Sequence, residues 1–356
     1  MSKVTFNNTN KAFHSSLKIS VENYFKTHKI KKTGNWKLYL KTAVLIPLAV
    51  ALYLFLLLAT YPAIIGVVLC ALLGLALTSI AFNVMHDACH GAYSSRKWVN
   101  DVMSFTMNAL GSNAYIWKIK HNIIHHTYTN IDGIDDDIDN SPFLRQCASQ
   151  KWRPAHRFQH IYMFFLYAVS TLSWMLFSDF AKYFRKRINT TPINKIPVKE
   201  HIIFWLSKAL YIFFYGLLPV YFVGWENWLI GFLLVHVIMG VSLSIVFQLA
   251  HVVEITAFDE ATAAPKQIET EWALHEVLTT ADFAPKNKVI SWLLGGLNFQ
   301  VEHHLFPRIS HVHYPAISRI IKEQCEHFQL PYHYYPKMTQ AIASHVRVMR
   351  RLGQKD

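Results

Sequence analysis

Two stretches without a charged side chain, residues 43–59 (AVLIPLAVALYLFLLLA) and 63–85 (AIIGVVLCALLGLALTSIAFNVM), are separated only by Thr60, Tyr61 and Pro62. An apolar run approaching ~20 residues is what a helix needs to cross a bilayer, and inside lipid such a segment satisfies its own backbone only as a helix. A pair joined by so short a turn therefore reads as a transmembrane hairpin. A fainter second hairpin covers 202–223 and 228–250, joined by Gly224, Trp225, Glu226 and Asn227. Lys208 in its first arm is expected to snorkel to the nearer interface. Hydrophobic residues make up 52% of the 356 and charged ones 16%, so the chain reads as an integral membrane protein rather than two soluble domains.

Charge sets the orientation. Neither hairpin turn holds a Lys or Arg, whereas residues 1–40, 181–199 and 321–356 are rich in them, which puts all three on the cytoplasmic side. The net charge of +13 is then one-sided and suits anionic headgroups; no nucleic-acid motif accompanies it. The first 40 residues are polar and Lys-rich, unlike a secretory leader, so insertion is expected through the chain's own helices. Segments 101–117, 158–178 and 289–299 mix apolar and polar residues and are read as interfacial. An odd crossing by 158–178 would place the histidines described next on opposite faces. Cys70, Cys89, Cys147 and Cys325 form no CxxC and are read as reduced, with Cys89 a small spacer.

Eight histidines stand where the apolar runs end: His86 and His90; His121, His125 and His126; His303 and His304; and His251. Residues three or four apart share a helix face, so His86 with His90, His121 with His125, and Gln300 with His303 and His304 are expected to aim at common points. That is too many imidazoles for one structural zinc, and no Cys pair accompanies them; imidazole also suits iron, copper and nickel. Asp87, Glu302 and the acidic run Asp132 to Asp139, with Asp135 and Asp136 foremost, are candidates to accept hydrogen bonds from the ring nitrogens that face away from metal. His236 lies 15 residues before His251, about 22 Å at helical rise, too far to share the site, and is expected to bond a neighbouring helix. His14, His28, His327, His333 and His345 lie in polar flanks and are read as surface residues. Two redox metals in a nitrogen cage at a membrane face suit dioxygen activation and hydrogen removal from a lipid chain, and a zinc protease is disfavoured by the lack of His-Glu-x-x-His.

The wording around the clusters resembles the membrane fatty acid desaturases: HDACHGAYSSRKWVND, HNIIHHTYTNIDGIDDDID, FQLAHVVE and NFQVEHHLFPRISHVHYP, across about residues 63 to 320. The resemblance implies an all-α integral membrane protein, four transmembrane helices in two hairpins under a cytoplasmic helical cap. Residues 1–40 would be an N-terminal arm, 41–320 the membrane unit and 321–356 a cytoplasmic tail. It implies a di-iron centre with dioxygen as co-substrate, an acyl-CoA or acyl-lipid substrate, and cis double-bond formation. The iron ligands would be His86, His90, His121, His125, His126, His251, His303 and His304. Gln300 stands where many members carry a ninth histidine, and in this it resembles the front-end subgroup, which works on the carboxyl side of an existing double bond. Unlike many eukaryotic members of that subgroup, the N-terminal arm carries no His-Pro-Gly-Gly haem motif, so electrons are expected from a separate ferredoxin or cytochrome. The basic face of Lys118, Lys120, Arg153, Arg157 and Arg185–Arg187 is a candidate docking surface, with headgroup contact as the other reading. Tyr93, Trp98, Tyr115, Trp117 and Phe299 are candidates for an acyl tunnel, or interfacial aromatics. A hydroxylase or carotenoid oxygenase would use a similar site, and a non-catalytic metal carrier is the alternative of another class.

Overall fold

The computed structural model describes residues 4–7, 11–138, 141–193, 195–260 and 267–355; Asp139 lies outside them. An amphipathic helix α1 (Ala12–Thr27) precedes the first hairpin, α2 (Trp36–Leu58) and α3 (Ala63–Cys89). Helix α4 covers residues 114–125, α5 spans Pro154–Arg185, and α6 (Val198–Val223) with α7 (Trp225–His251) forms the second hairpin. Later in the chain come α8 (Trp272–Thr279), α9 (Gln300–Leu305), α10 (Tyr314–His327) and α11 (Met338–Leu352), with shorter helices at Lys97–Ser104, Thr106–Ala109 and Lys288–Leu293.

The hairpin arms outrun their charge-free cores because capping groups lie farther out. Asn35 opens α2 by accepting a hydrogen bond from the Lys37 N–H at 3.0 Å, and Pro62 sits at the N-cap of α3, where a missing N–H leaves no helix bond unmade. The turn expected over 224–227 shrinks to Gly224 alone, whose φ of +78° suits glycine. Small residues let α3 and α7 approach closely: a Cβ on Gly74 would lie 3.0 Å from the Ile238 side chain. Leu58, Ile64, Ile230 and Tyr221 stand exposed on the outer faces. An apolar exterior of that extent needs lipid rather than water around it, and the chain is a multi-pass membrane protein.

Helix α5 differs from expectation. The segment read as interfacial belongs to a 32-residue helix, and with it five helices among the described residues are long and apolar enough to cross a membrane by length and composition. Its packing is informative. At its start, Gln159 donates to the Met349 carbonyl at 2.8 Å, and Met163 and Tyr167 pack with Val252, the residue after His251. Its middle passes α7, where Thr171 Oγ1 lies 3.0 Å from His236 Nδ1. Its end places Lys182 Nζ 2.6 Å from Asp136. His236 thus bonds its neighbours as expected, with Tyr211 on Nε2 at 2.9 Å. Lys208 does not snorkel: its ammonium is buried against Asp179 of α5 at 2.9 Å and the Gly111 carbonyl at 2.6 Å, because α5 covers the path to the interface.

The crossing of α5 and α7 depends on Gly240, where a Cβ would lie 2.4 Å from the Tyr167 carbonyl oxygen. That neighbour is backbone and cannot swing aside, so Gly240→Val is expected to cost about 1–3 kcal/mol, read as a lower unfolding temperature in detergent.

Beyond the hairpin ends the remaining helices form a cap. Phe13, Leu17, Val21 and Phe25 recur every four residues along α1 and enter a core with Val277, Val301, Ile317 and Ile321. Three parallel two-residue strand pairs tie distant loops together: Thr5–Phe6 with Gln267–Ile268, Ile131–Asp132 with Asp259–Glu260, and Asp282–Phe283 with Tyr334–Tyr335. His28 and His327 are exposed as expected, while His14 and His333 are half-buried. His345 is a correction: it is buried, bonded to the Tyr167 hydroxyl and the Val252 carbonyl, each at 2.7 Å. It shares the inward face of amphipathic α11 with Ala341 and Val348.

Candidate metal centre

The ends of α3 and α7 bring His86, His90 and His251 to one level, and α4 and α9 supply the others. Two of these elements are wound unusually. A π-helical turn, Ala81–Met85, precedes His86, and the whole Ile119–His125 stretch of α4 is π-helical. The wider turn pairs residues five apart: the His126 N–H bonds the His121 carbonyl at 3.1 Å, and the two Nε2 atoms lie 3.3 Å apart. His121 and His125 stack their rings, with centroids 5.2 Å apart, and form a group with Asp137, in keeping with the expected common aim. Each also joins a larger set, His121 with His86, His90 and His303, and His125 with His251 and His304. His126 bridges the two groups through His303 and His304. Within each group the nitrogens lie within 4.8 Å of one another.

Nε2 of His86, His90, His125, His251, His303 and His304, and Nδ1 of His126, are buried without a hydrogen-bond partner. Each such atom costs roughly 1–3 kcal/mol if left so. Burial, added to by neighbouring imidazoles, holds His90, His121, His126, His303 and His304 well below the usual histidine pKa, so these rings are neutral and offer lone pairs. Converging neutral imidazoles with unmet lone pairs fit metal ions. Cys89 lies among them with its sulfur on Met85, at 3.7 Å, consistent with a spacer.

Of the carboxylates expected behind the rings, Asp135 is there: it accepts from His125 Nδ1 at 3.0 Å and is held by the Asn130 and Asp137 N–H groups, each also at 3.0 Å. Asp136 instead pairs with Lys182 and, at 3.3 Å, with Lys120. Asp87 turns to Ser310 Oγ at 2.6 Å and His311 Nδ1 at 3.0 Å, and Glu302 accepts from the Tyr332 hydroxyl at 2.7 Å. Asp87 and Glu302 each adjoin a histidine in a helix, where successive side chains point about 100° apart. Sequence reasoning missed three partners. Glu276 meets His304 Nδ1 at 2.8 Å, the Tyr314 hydroxyl lies 3.1 Å from His303 Nδ1, and the Thr279 carbonyl lies 3.3 Å from His251 Nδ1. The available signal for Glu276 was a lone carboxylate beside His275 in a segment, Ala273 to Leu278, whose other residues are apolar. Gln300 is buried one turn before His303 and donates to the Leu297 carbonyl at 2.7 Å.

Lys120 is buried against Asp137 at 2.6 Å and Lys118 bonds Ser104, so Lys120 is withdrawn from any docking surface; Arg153, Arg157 and Arg185–Arg187 remain exposed. Trp117 stacks on His121, centroids 4.4 Å apart, and with His86 lines a small apolar slot. Leu110 and Met239 line both that slot and a cavity of about 680 Å³ between the hairpins. Trp98 is exposed, and Phe299 packs into the cap core rather than the slot.

Residues 62–336 match the sequence model of a family described as fatty acid desaturase. The chain is 33% identical over 99% of its length to an sn-1 linoleoyl-lipid 6-desaturase of Arthrospira platensis, covering 95% of that protein. It is 34% identical over 97% of its length to one from Synechocystis, covering 96% of it. An acyl-lipid (8-3)-desaturase of Physcomitrium patens is 32% identical over 97% of this chain and 72% of its own. The chain belongs to the fatty acid desaturase family: it is a membrane oxidoreductase that introduces double bonds into fatty acyl chains.

Proposed function

We propose that the chain is a front-end acyl-lipid desaturase that places a cis double bond on the carboxyl side of an existing one, with dioxygen as oxidant. The observation that carries the metal part is the seven partnerless ring nitrogens of the converging histidines, one of which, His86, lines the apolar slot. His86, His90, His121 and His303 would hold one iron ion, His125, His251 and His304 the other, with His126 between them; Gln300 is retained as a candidate contact to the pair. Two irons held there would activate dioxygen, the oxidant, for removal of two hydrogens from the acyl chain, with electrons from the external donor.

The chain's own residues do the positioning. Trp117, Met107 and Leu243 wall the slot beside His86, excluding water from the reacting carbons. The larger cavity beyond Leu110 and Met239 receives the methyl end, so the depth at which the chain stops sets which carbons face His86. An acyl-lipid substrate is favoured over acyl-CoA by the names of the relatives, two of which are linoleoyl-lipid 6-desaturases. Electrons would come from a separate ferredoxin- or cytochrome-type donor meeting the exposed arginines.

For the membrane arrangement we infer four crossings, with the site, both termini and the cap cytoplasmic. Support comes from α5, whose two ends pack beside segments that follow His251 and His125. With both ends of α5 held beside histidine-bearing segments, an even number of crossings keeps the eight histidines on one face. On this reading residues 41–320 form the catalytic unit and the flanking arms complete its cap.

A host expressing the chain and fed linoleate is expected to accumulate a fatty acid two hydrogens lighter, with the new bond on the carboxyl side of the existing pair, located by mass spectrometry. A product heavier by one oxygen would identify a hydroxylase and overturn this reading.

A further inference from the structure

We propose that the two metal positions are unequal, and that the one enclosed by His125, His251 and His304 fills first and holds its ion more tightly. This rests on the reading that the two histidine groups bind metal. The reason lies behind the rings. At this position two imidazoles turn their far nitrogens to buried carboxylates, His125 to Asp135 at 3.0 Å and His304 to Glu276 at 2.8 Å. A carboxylate accepting the far N–H fixes the tautomer and makes the ring a stronger donor. Asp135, held by the Asn130 and Asp137 N–H groups, also places negative charge near a divalent ion where water cannot screen it. Asp135 and Glu276 are both fully buried.

At the other position, among the described residues, no carboxylate bonds a ring nitrogen of His86, His90, His121 or His303. The side chain that reaches a far nitrogen there is Tyr314, a neutral phenol, 3.1 Å from His303 Nδ1. Asp87 adjoins His86 in sequence but is engaged by Ser310 and His311. Ligand number runs the other way, four rings against three. The carboxylates outweigh it, because the two at the first position bond ligand rings, whereas Asp87 and Asp137 beside the four-ring position are engaged by His311 and Lys120. The nearby cations do not cancel Asp135: Lys182 is met by Asp136, and Lys120 by Asp136 and Asp137. His126 touches both groups and does not discriminate.

Metal-free protein purified in detergent, titrated with Co(II) and followed by absorption, is expected to bind in two resolved steps. One equivalent of iron-57 should give one Mössbauer environment and two equivalents a second. Glu276→Gln should weaken the first step by about 10- to 100-fold and leave the second near its original value, with Tyr314→Phe sparing the first step. Asp135→Asn is the second variant should Glu276→Gln fail to fold, which melting before metal addition reveals. A single step taking up two ions, or a first step unmoved by both carboxylate variants, overturns the inequality while leaving metal binding intact. A chain that retains no ion overturns the metal reading itself.

Discussion

Alanine at His303 is expected to abolish the new double bond and to remove metal, whereas alanine at His345, an equally buried histidine, should cost stability alone. His303 belongs to the group with His86, His90 and His121 and also to the bridging group with His126 and His304. Its Nε2 is among the partnerless nitrogens, and Tyr314 on Nδ1 fixes the ring. Deleting the group behind a ligand typically costs 10- to 100-fold in affinity or activity, so deleting a ligand shared by both groups should lower turnover by at least ~100-fold and leave less than one tightly held ion per chain. His345 bonds Tyr167 and Val252 and, among the described residues, stands in none of the histidine groups. Its alanine variant should keep its metal and lose several degrees in unfolding temperature. Product analysis and metal content of both variants check the contrast. Equal loss of metal in the two would mean that the cap simply falls apart when any buried histidine is removed.

The histidine clusters were legible because metal ligands are drawn from few residue types and sit near helix ends. Asp135 was legible because it lies in an acidic run just beyond His125 and His126. What was not legible depended on winding or on distance along the chain. An α-helical spacing rule groups His121 with His125, and only the π-helical Ile119–His125 stretch reveals that His126 comes to face His121. Glu276 and His304 are 28 residues apart and on different helices, and no local pattern pairs them. Residues 158–178 were read as interfacial from their mixed composition and because an odd crossing would split the histidines. Composition had no means of showing that Thr171 there is met by His236 on α7, or that the helix runs on to Asp179, met by Lys208 on α6. Lys208 illustrates the same limit: snorkelling is the rule for a lysine facing lipid, and this lysine faces protein.

Lys208→Met is expected to destabilise the fold by about 3–5 kcal/mol, because it strands the Asp179 carboxylate in a buried place with one partner gone. That carboxylate is 1% exposed, and among the described residues its remaining side-chain hydrogen bond comes from the Trp174 indole N–H at 3.0 Å. Replacing both members, Lys208→Met with Asp179→Leu, should recover most of the loss, since an apolar pair of similar volume removes the buried charge along with its partner. Unfolding temperatures in detergent for the two single variants and the double variant separate the cases. If the double variant is as unstable as the worse single one, the pair is not what fixes α5 to α6. The consequence extends to the slot, since Trp174 lies on α5 and shares the slot wall with Leu110 and Trp117. A double variant that folds but leaves α5 less firmly held should therefore raise KM for the lipid more than it lowers kcat, as the wall that aligns the chain loosens while the histidines stay in place.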